Sequence, residues 1–273
     1  MIDFSFQNYG TNIQITNNET KYKLEEISGL NGFERNVNLL DFAGKDGSSY
    51  STSKIPSREI VATISIVGDI ETNRLNLIKA LRHNRNCTLF FETDNRHVYI
   101  EGRARTADIS AFSEKQAGQI AFICANPFFH KYHNTETDIS SGSSYTTVTN
   151  DGDIPIGFRA GINLTSISGA PTKLEIEKND SGGTHKIVIN YPDGFQSGDS
   201  IVIQNEFQNY EKSVVLHRGG QSINLISGVD RVSTEWFYLN LGNNNIRYRI
   251  GGNYSYGGSH SCSITHREDY LAL

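Results

Sequence analysis

Only one segment, from about Ile70 to His83, spaces its apolar residues at helical period; elsewhere in these 273 residues apolar and polar side chains alternate in short runs. Alternation at period two turns one face of a strand toward a core and the other toward water, whereas spacings of three and four residues make a helical stripe. The chain therefore has one helix to place and a great deal of sheet. In the helical segment Ile70, Arg74, Leu77, Ile78 and Leu81 share a face, with Glu71, Asn73, Asn76 and Lys79 elsewhere. Acidic Asp69 and Glu71 at its start and basic Arg82 and Arg85 at its end complement the helix dipole.

Strand patterns surround that helix. Ile2, Phe4 and Phe6 alternate with polar residues, and so do Ile60, Ala62, Ile64 and Ile66, whose opposite face carries Val61 and Val67. A strand apolar on both faces belongs in the interior of a sheet. Asp94-Asn95 reads as a hairpin turn, and Ile120 to Cys124 as a strand stopped by Asn126-Pro127. Residues 134–144 are polar, rich in Ser and Thr and without apolar period, which predicts a linker. After it, short runs recur at 154–164, 172–178, 185–189, 200–203, 212–216, 236–241, 244–250 and 261–266. Many short strands between turn signals, with no helix, predict a two-sheet sandwich or jelly roll. The expected domains are 1–133, linker 134–144, and 145–273.

Charge and cysteine content narrow the function. A net charge of -5 with 20% charged residues argues against duplex DNA as the main partner, which needs clustered Lys and Arg. Scattered cations such as Lys54, Arg58, Arg103 and Arg105 lack the aromatic interleaving of a single-strand binder, so no sequence-specific nucleic acid is expected. Three cysteines, Cys87, Cys124 and Cys262, make no disulfide framework and read as reduced and buried. No leader of signal-peptide type opens the sequence, and no window approaches the roughly 20 apolar residues of a membrane span, so membrane insertion is not expected.

Candidate chemistry is thin. Cys124, His130 and His133 mix sulfur and imidazole, yet no fourth ligand completes a structural zinc set, so no metal and no cofactor are expected. Nucleophile-elbow, zinc-protease and phosphate-cradling glycine motifs are absent from the sequence. Glu25 and Glu26 alternate faces on a strand and cannot act as a matched acid and base. Two opposed carboxylates of glycosidase type have no obvious place either. Enzyme activity is therefore not expected. Trp236, Tyr238, Tyr248, Tyr254 and Tyr256 crowd one region, as sugar-stacking aromatics do. Trp236 and Tyr238 fall on one face and Phe237 and Leu239 on the other, so at least one of these faces must be core.

The order of parts carries more than any single motif. A Gly/Ser-rich loop, Gly44-Lys45-Asp46-Gly47-Ser48-Ser49, runs through Lys54-Ile55-Pro56-Ser57-Arg58 into the strand beginning at Glu59. Helix, paired strands and Ile120-Ala121-Phe122-Ile123-Cys124-Ala125-Asn126-Pro127-Phe128-Phe129 follow. This resembles the N-terminal half of the distal tail proteins of long-tailed bacteriophages. Gly198-Asp199-Ser200-Ile201-Val202-Ile203 and Trp236-Phe237-Tyr238-Leu239-Asn240-Leu241-Gly242-Asn243-Asn244-Asn245-Ile246 are similar to elements of that family's second domain.

The resemblance implies a mainly β fold: an N-terminal β-sheet or sandwich domain with one α-helix and a protruding loop, then a lectin-like (galectin-like) β-sandwich. The family's last strand can return to the first domain. The resemblance further implies a structural protein forming a homohexameric ring, single or stacked in two, at the virion tail tip and synthesised in the host cytoplasm. Its partners would be the tail tube protein, the tail-tip hub protein and receptor-binding or side-fibre proteins, with DNA passing through the ring. By family position the loop 43–56 and the residues after it make intersubunit contact, through Lys45, Tyr50, Lys54, Arg58 and Glu59. The family's aromatic at position 236 sits in the sandwich core. The alternative is an adhesion module recognising cell-wall glycan, with Trp236 and Tyr238 as its platform.

Overall fold

The structure, a computed structural model, describes residues 3–8, 11–15, 21–81, 86–109, 117–140, 143–209, 211–252 and 256–273. Ile2, Arg82, His83, Arg85 and Tyr254, which entered the expectations above, lie outside the described residues. The chain divides into two compact units, one formed by residues up to Tyr132 together with Tyr270–Leu273, the other by His133–Asp269.

The first unit runs β1 (Asp3–Asn8), β2 (Thr11–Ile15), β3 (Tyr22–Ser28), β4 (Asn36–Asp41), β5 (Ser48–Lys54), β6 (Arg58–Ile66), α1 (Ile70–Ala80), β7 (Cys87–Glu92), β8 (His97–Ile109), β9 (Ala117–Cys124) and β10 (Phe129–Lys131). One large sheet has the order β2-β1-β7-β8-β9-β6-β3 and is antiparallel throughout, with β10 added on β8. Alternation does what the sequence promised. Phe4 and Phe6, Ile60 to Ile66 at every second residue, Leu89 and Phe91, Val98 and Ile100, and Ile120 and Phe122 all turn inward into one core. Interior β6 is bonded to β9 on one side and β3 on the other.

Helix α1 starts where expected, with the Asp69 carboxylate accepting from the Thr72 N–H at 3.3 Å as its N-cap. Its buried face differs from the one the spacing predicts. Asn73, Leu77, Ala80 and Leu81 are buried, whereas Ile78 is exposed. Asn73 earns its interior place through hydrogen bonds: its side chain donates to the Val67 carbonyl at 2.8 Å, and its own carbonyl accepts the Tyr22 hydroxyl at 2.8 Å. Both bonds tie the helix to the sheet beneath, which rotates the stripe and leaves Ile78 in water.

The second unit contains β11 (Thr135–Ile139), β12 (Thr146–Asn150), β13 (Phe158–Ile167), β14 (Lys173–Asp180), β15 (Gly183–Asn190), β16 (Asp199–Asn205), β17 (Lys212–Arg218), β18 (Gln221–Asn224), β19 (Gly242–Ile250) and β20 (Gly258–His266). They form a six-stranded sheet, β11-β20-β13-β16-β17-β18, and a four-stranded sheet, β12-β19-β14-β15. Inward residues of both, among them Phe158, Ile162, Ile176, Ile187, Ile203 and Tyr248, make one core, so the unit is a sandwich. A last short strand, β21 (Asp269–Tyr270), pairs with β10.

Two sequence expectations need correcting here. The predicted linker contains strand β11, bonded to β20 from Thr135 to Ile139. β11 is an edge strand, so only Ile139 needs to be buried while Glu136 and Asp138 face water, and the apolar period vanishes. Residues 236–241 do not make a strand: Leu239 forms only an isolated bridge with Ile156. Buried Asn205 and Asn244 supply that segment's missing ladder, donating to the Phe237 and Asn240 carbonyls at 2.6 and 2.8 Å.

Candidate intersubunit surface

Among the described residues, strands β4 and β5 pair only with each other and form a separate two-stranded arm. The residues expected to be a Gly/Ser-rich loop are thus half of a hairpin. Its turn places Gly44 and Gly47 at φ of 75° and 93°, where side chains with a Cβ are disfavoured. Cross-strand bonds from Ser48 Oγ to Asp41 at 2.7 Å and from Asn38 to Thr52 Oγ1 at 2.9 Å set the register. Leu39 lies directly opposite Tyr50.

The arm is apolar where it should be wet. Leu39 and Leu40 are each 56% exposed, Phe42 54% and Tyr50 84%, with Val37 and Phe33 also exposed. An isolated two-stranded hairpin is marginal in water. Among the described residues this one has no further strand paired with it, and both strands show open edges, the usual invitation to another chain. The sequence did carry the signal: Asn36-Val37-Asn38-Leu39-Leu40-Asp41, then a glycine turn, then Ser, Tyr and Thr.

The root of the arm is tied to the unit by close backbone contact and hydrogen bonds. Gly29 ends the incoming side at φ +84°, and a Cβ there would sit 2.1 Å from the Glu59 carbonyl oxygen, so the two roots touch backbone to backbone. Arg58 begins the outgoing side and is buried, 8% exposed. Its guanidinium donates to the carbonyls of Gly29 at 2.8 Å, Pro127 at 2.8 Å and Leu271 at 2.6 Å, and lies 4.7 Å over the Phe129 ring. Segment Tyr270–Leu273 closes the same corner. Leu273 N–H donates to the Leu30 carbonyl at 3.3 Å, Arg96 donates to Ala272 at 2.5 Å, and Arg96 covers the Tyr270 ring at 4.3 Å.

The five residues expected at the contact therefore separate. Lys45 in the turn and Tyr50 and Lys54 on β5 share the arm. Glu59 faces outward from β6 and pairs with Arg105 at 3.3 Å. Arg58 is the correction: it is an internal clamp, because an arginine can satisfy three carbonyls at once with its fork of donors.

The other candidates also resolve. Cys124 and Cys87 are buried, and burial pushes the Cys124 thiol up to about 12 despite the nearby Arg58 charge. A thiol that stays protonated is a poor metal ligand. His130 lies near the Asn126 amide at 3.3 Å, and His133 falls in the other unit. No group of three or more potential metal ligands occurs among the described residues. In the sandwich, Phe237 and Leu239 are core residues and Trp236 and Tyr238 alternate with them half-buried, Trp236 packing against that core. The resemblance implied a core position for Trp236; the structure packs it part-buried against that core, while Phe237 lies within it and stacks on Phe158 with centroids 5.1 Å apart. Lys212 lies 5.7 Å from the Trp236 ring and 6.0 Å from that of Tyr238, and pairs with Glu206 at 3.3 Å. Burial, followed by the Glu206 hydrogen bond and charge, pushes the Tyr238 hydroxyl up to about 12.

Residues 10–124 match the family model described as phage tail protein RIFT-related domain, and residues 151–270 that of the siphovirus-type tail component, C-terminal domain. Among solved structures the chain is similar to the Dit protein of phage SPP1, described as a paradigm of the hub adsorption apparatus in phages infecting Gram-positive bacteria. The TM-score is 0.70 at 16% identity over 97% of this chain and 98% of that one. It is also similar to a chain of the phage P2 baseplate in its activated conformation with calcium, with TM-score 0.52 at 14% identity over 99% and 100% of the two chains. These identities carry the fold. Among curated proteins there is no match.

Proposed function

The chain belongs to the distal tail protein family of siphoviruses, and from that premise we propose that it is the subunit of a hexameric ring joining tail tube to tail tip. The observation that supports this most is the arm. Its apolar side chains are left about half exposed or more within their own unit, and burying the exposed part of each against a neighbour contributes on the order of 1 kcal/mol. Head-to-tail contacts of this kind close into a ring when the rotation divides a circle. In this reading Lys45, Tyr50 and Lys54 on the arm and Glu59 on the sheet meet the next subunit, while Arg58 aims the arm from within.

The protein then works by shape and interface area, without chemistry of its own. Tail tube protein binds one side of the ring, tail-tip hub protein the other, and receptor-binding or side-fibre proteins the rim. The net charge of -5 lets DNA pass an open centre without adhering. Synthesis is in the host cytoplasm, and two stacked rings satisfy the same contacts. Adhesion through Trp236 and Tyr238 has less support, since Lys212 and Glu206 already occupy their face.

Native mass measurement tests the ring. A mass six or twelve times that of the chain is expected at micromolar concentration, and Leu39→Ser with Tyr50→Ser should return it to monomer. A chain that stays monomeric at every accessible concentration sinks the reading.

A further inference from the structure

The first unit carries a second exposed surface whose chemistry differs from that of the arm. On the outer face of its large sheet a groove of about 410 Å³ crosses β1, β2 and β7. Register builds its floor: Gln14 lies beside Ser5, Ser5 beside Phe90, and Phe90 beside Tyr99. Two residues along, Asn12 lies beside Gln7; at the other end Asp3 lies beside Glu92, and Glu92 beside His97, 3.4 Å away. Phe90 packs edge-on against Tyr132 with centroids 5.6 Å apart, and Tyr132 is 52% exposed.

Two features distinguish this groove from a protein-docking surface. Its apolar lining residues other than the two rings, Phe4, Phe91 and Val98, are buried in the core, so no aliphatic side chain faces outward there. Among the described residues, the side chains of Asp3, Ser5, Gln7, Asn12 and Gln14 make no hydrogen bond or ion pair within the chain. Carboxamides and a hydroxyl offer donors and acceptors together, as sugar hydroxyls require. The rings offer flat apolar area to the C–H face of a pyranose, and the volume falls in the range of small-ligand sites. Asp3 and Glu92 repel phosphate and other anions. A protein partner would instead be met by an apolar centre, which the arm has and the groove lacks.

We propose that this groove binds a neutral or amino-bearing saccharide. The site is on the first unit and does not involve Trp236 or Tyr238.

The test uses the full chain on an array of neutral, amino and anionic glycans, with the strongest neutral or amino oligosaccharide then titrated by calorimetry. Binding is expected in the millimolar to micromolar range, with anionic glycans excluded. Gln7→Ala with Gln14→Ala, and separately Tyr132→Ala, should weaken it about tenfold or more, while Trp236→Ala leaves it unchanged. Circular dichroism confirms that each variant is folded. No binding at millimolar saccharide, binding that survives both groove variants, or binding lost in Trp236→Ala would each overturn the proposal. If the folded groove variants change the native mass and not saccharide binding, the face is a protein contact and the proposal fails.

Discussion

Leu39 in the arm and Ile64 in the sheet are similar side chains on strands of similar pattern, yet one is 56% exposed and the other wholly buried. The difference lies in what stands behind the strand. β6 has neighbours on both sides and a helix and further strands across its core, so alternation is satisfied within the unit. Among the described residues β4 and β5 have only each other. Apolar alternation thus marks a surface suited to burial, without recording what would bury it.

The largest effect that could break this comparison comes from replacing residues 36–54 with a tight turn. The ring should disappear by sedimentation while circular dichroism keeps the sheet signal, because no inward residue of the core is touched. If the unit unfolds, the arm belongs to the core and the contrast collapses.

Next comes the same contrast within the sandwich. Phe237→Ala should cost about 3 to 5 kcal/mol, as for other buried large aromatics, and Trp236→Ala clearly less, by denaturant melts. The reverse order would place Trp236 in the core after all. Third is the clamp: Arg58→Met leaves the carbonyls of Gly29, Pro127 and Leu271 without their donor. A loss of about 3 kcal/mol is expected, along with a weaker ring. A stable, fully assembled Arg58→Met variant would show that the arm needs no aiming.

The smallest effect is a pH dependence in the second unit. Burial alone would raise the Glu177 carboxyl, but hydrogen bonds from Tyr145, Arg247 and Arg249, with the Arg249 charge, outweigh it and hold it below its ordinary value of 4.5. A depressed folded pKa gives stability that is full above the unfolded value and is lost as pH falls through the folded one. Melting temperature should therefore drop below about pH 4.5, and Glu177→Gln, already lower at neutral pH, should show less of that acid dependence. Equal acid slopes in both proteins would place the titration elsewhere.

The sequence by itself determined the mainly β class, the helix near Ile70 with acidic Asp69 and Glu71 at its start, most of the sandwich strands, and the family, because period and turn chemistry are local properties that a chain carries on its face. It did not reveal β11, whose polar residues sit at a sheet edge where one buried side chain suffices. It could not tell Trp236 from Phe237, since adjacent aromatics in an extended segment differ only in which side meets the core more fully. Nor could it show that Arg58 closes the base of an arm with a carbonyl 213 residues away. Those matters were decided by tertiary structure, for a physical reason: a buried cation and an exposed leucine are defined by what surrounds them, and the surroundings come from distant parts of the chain.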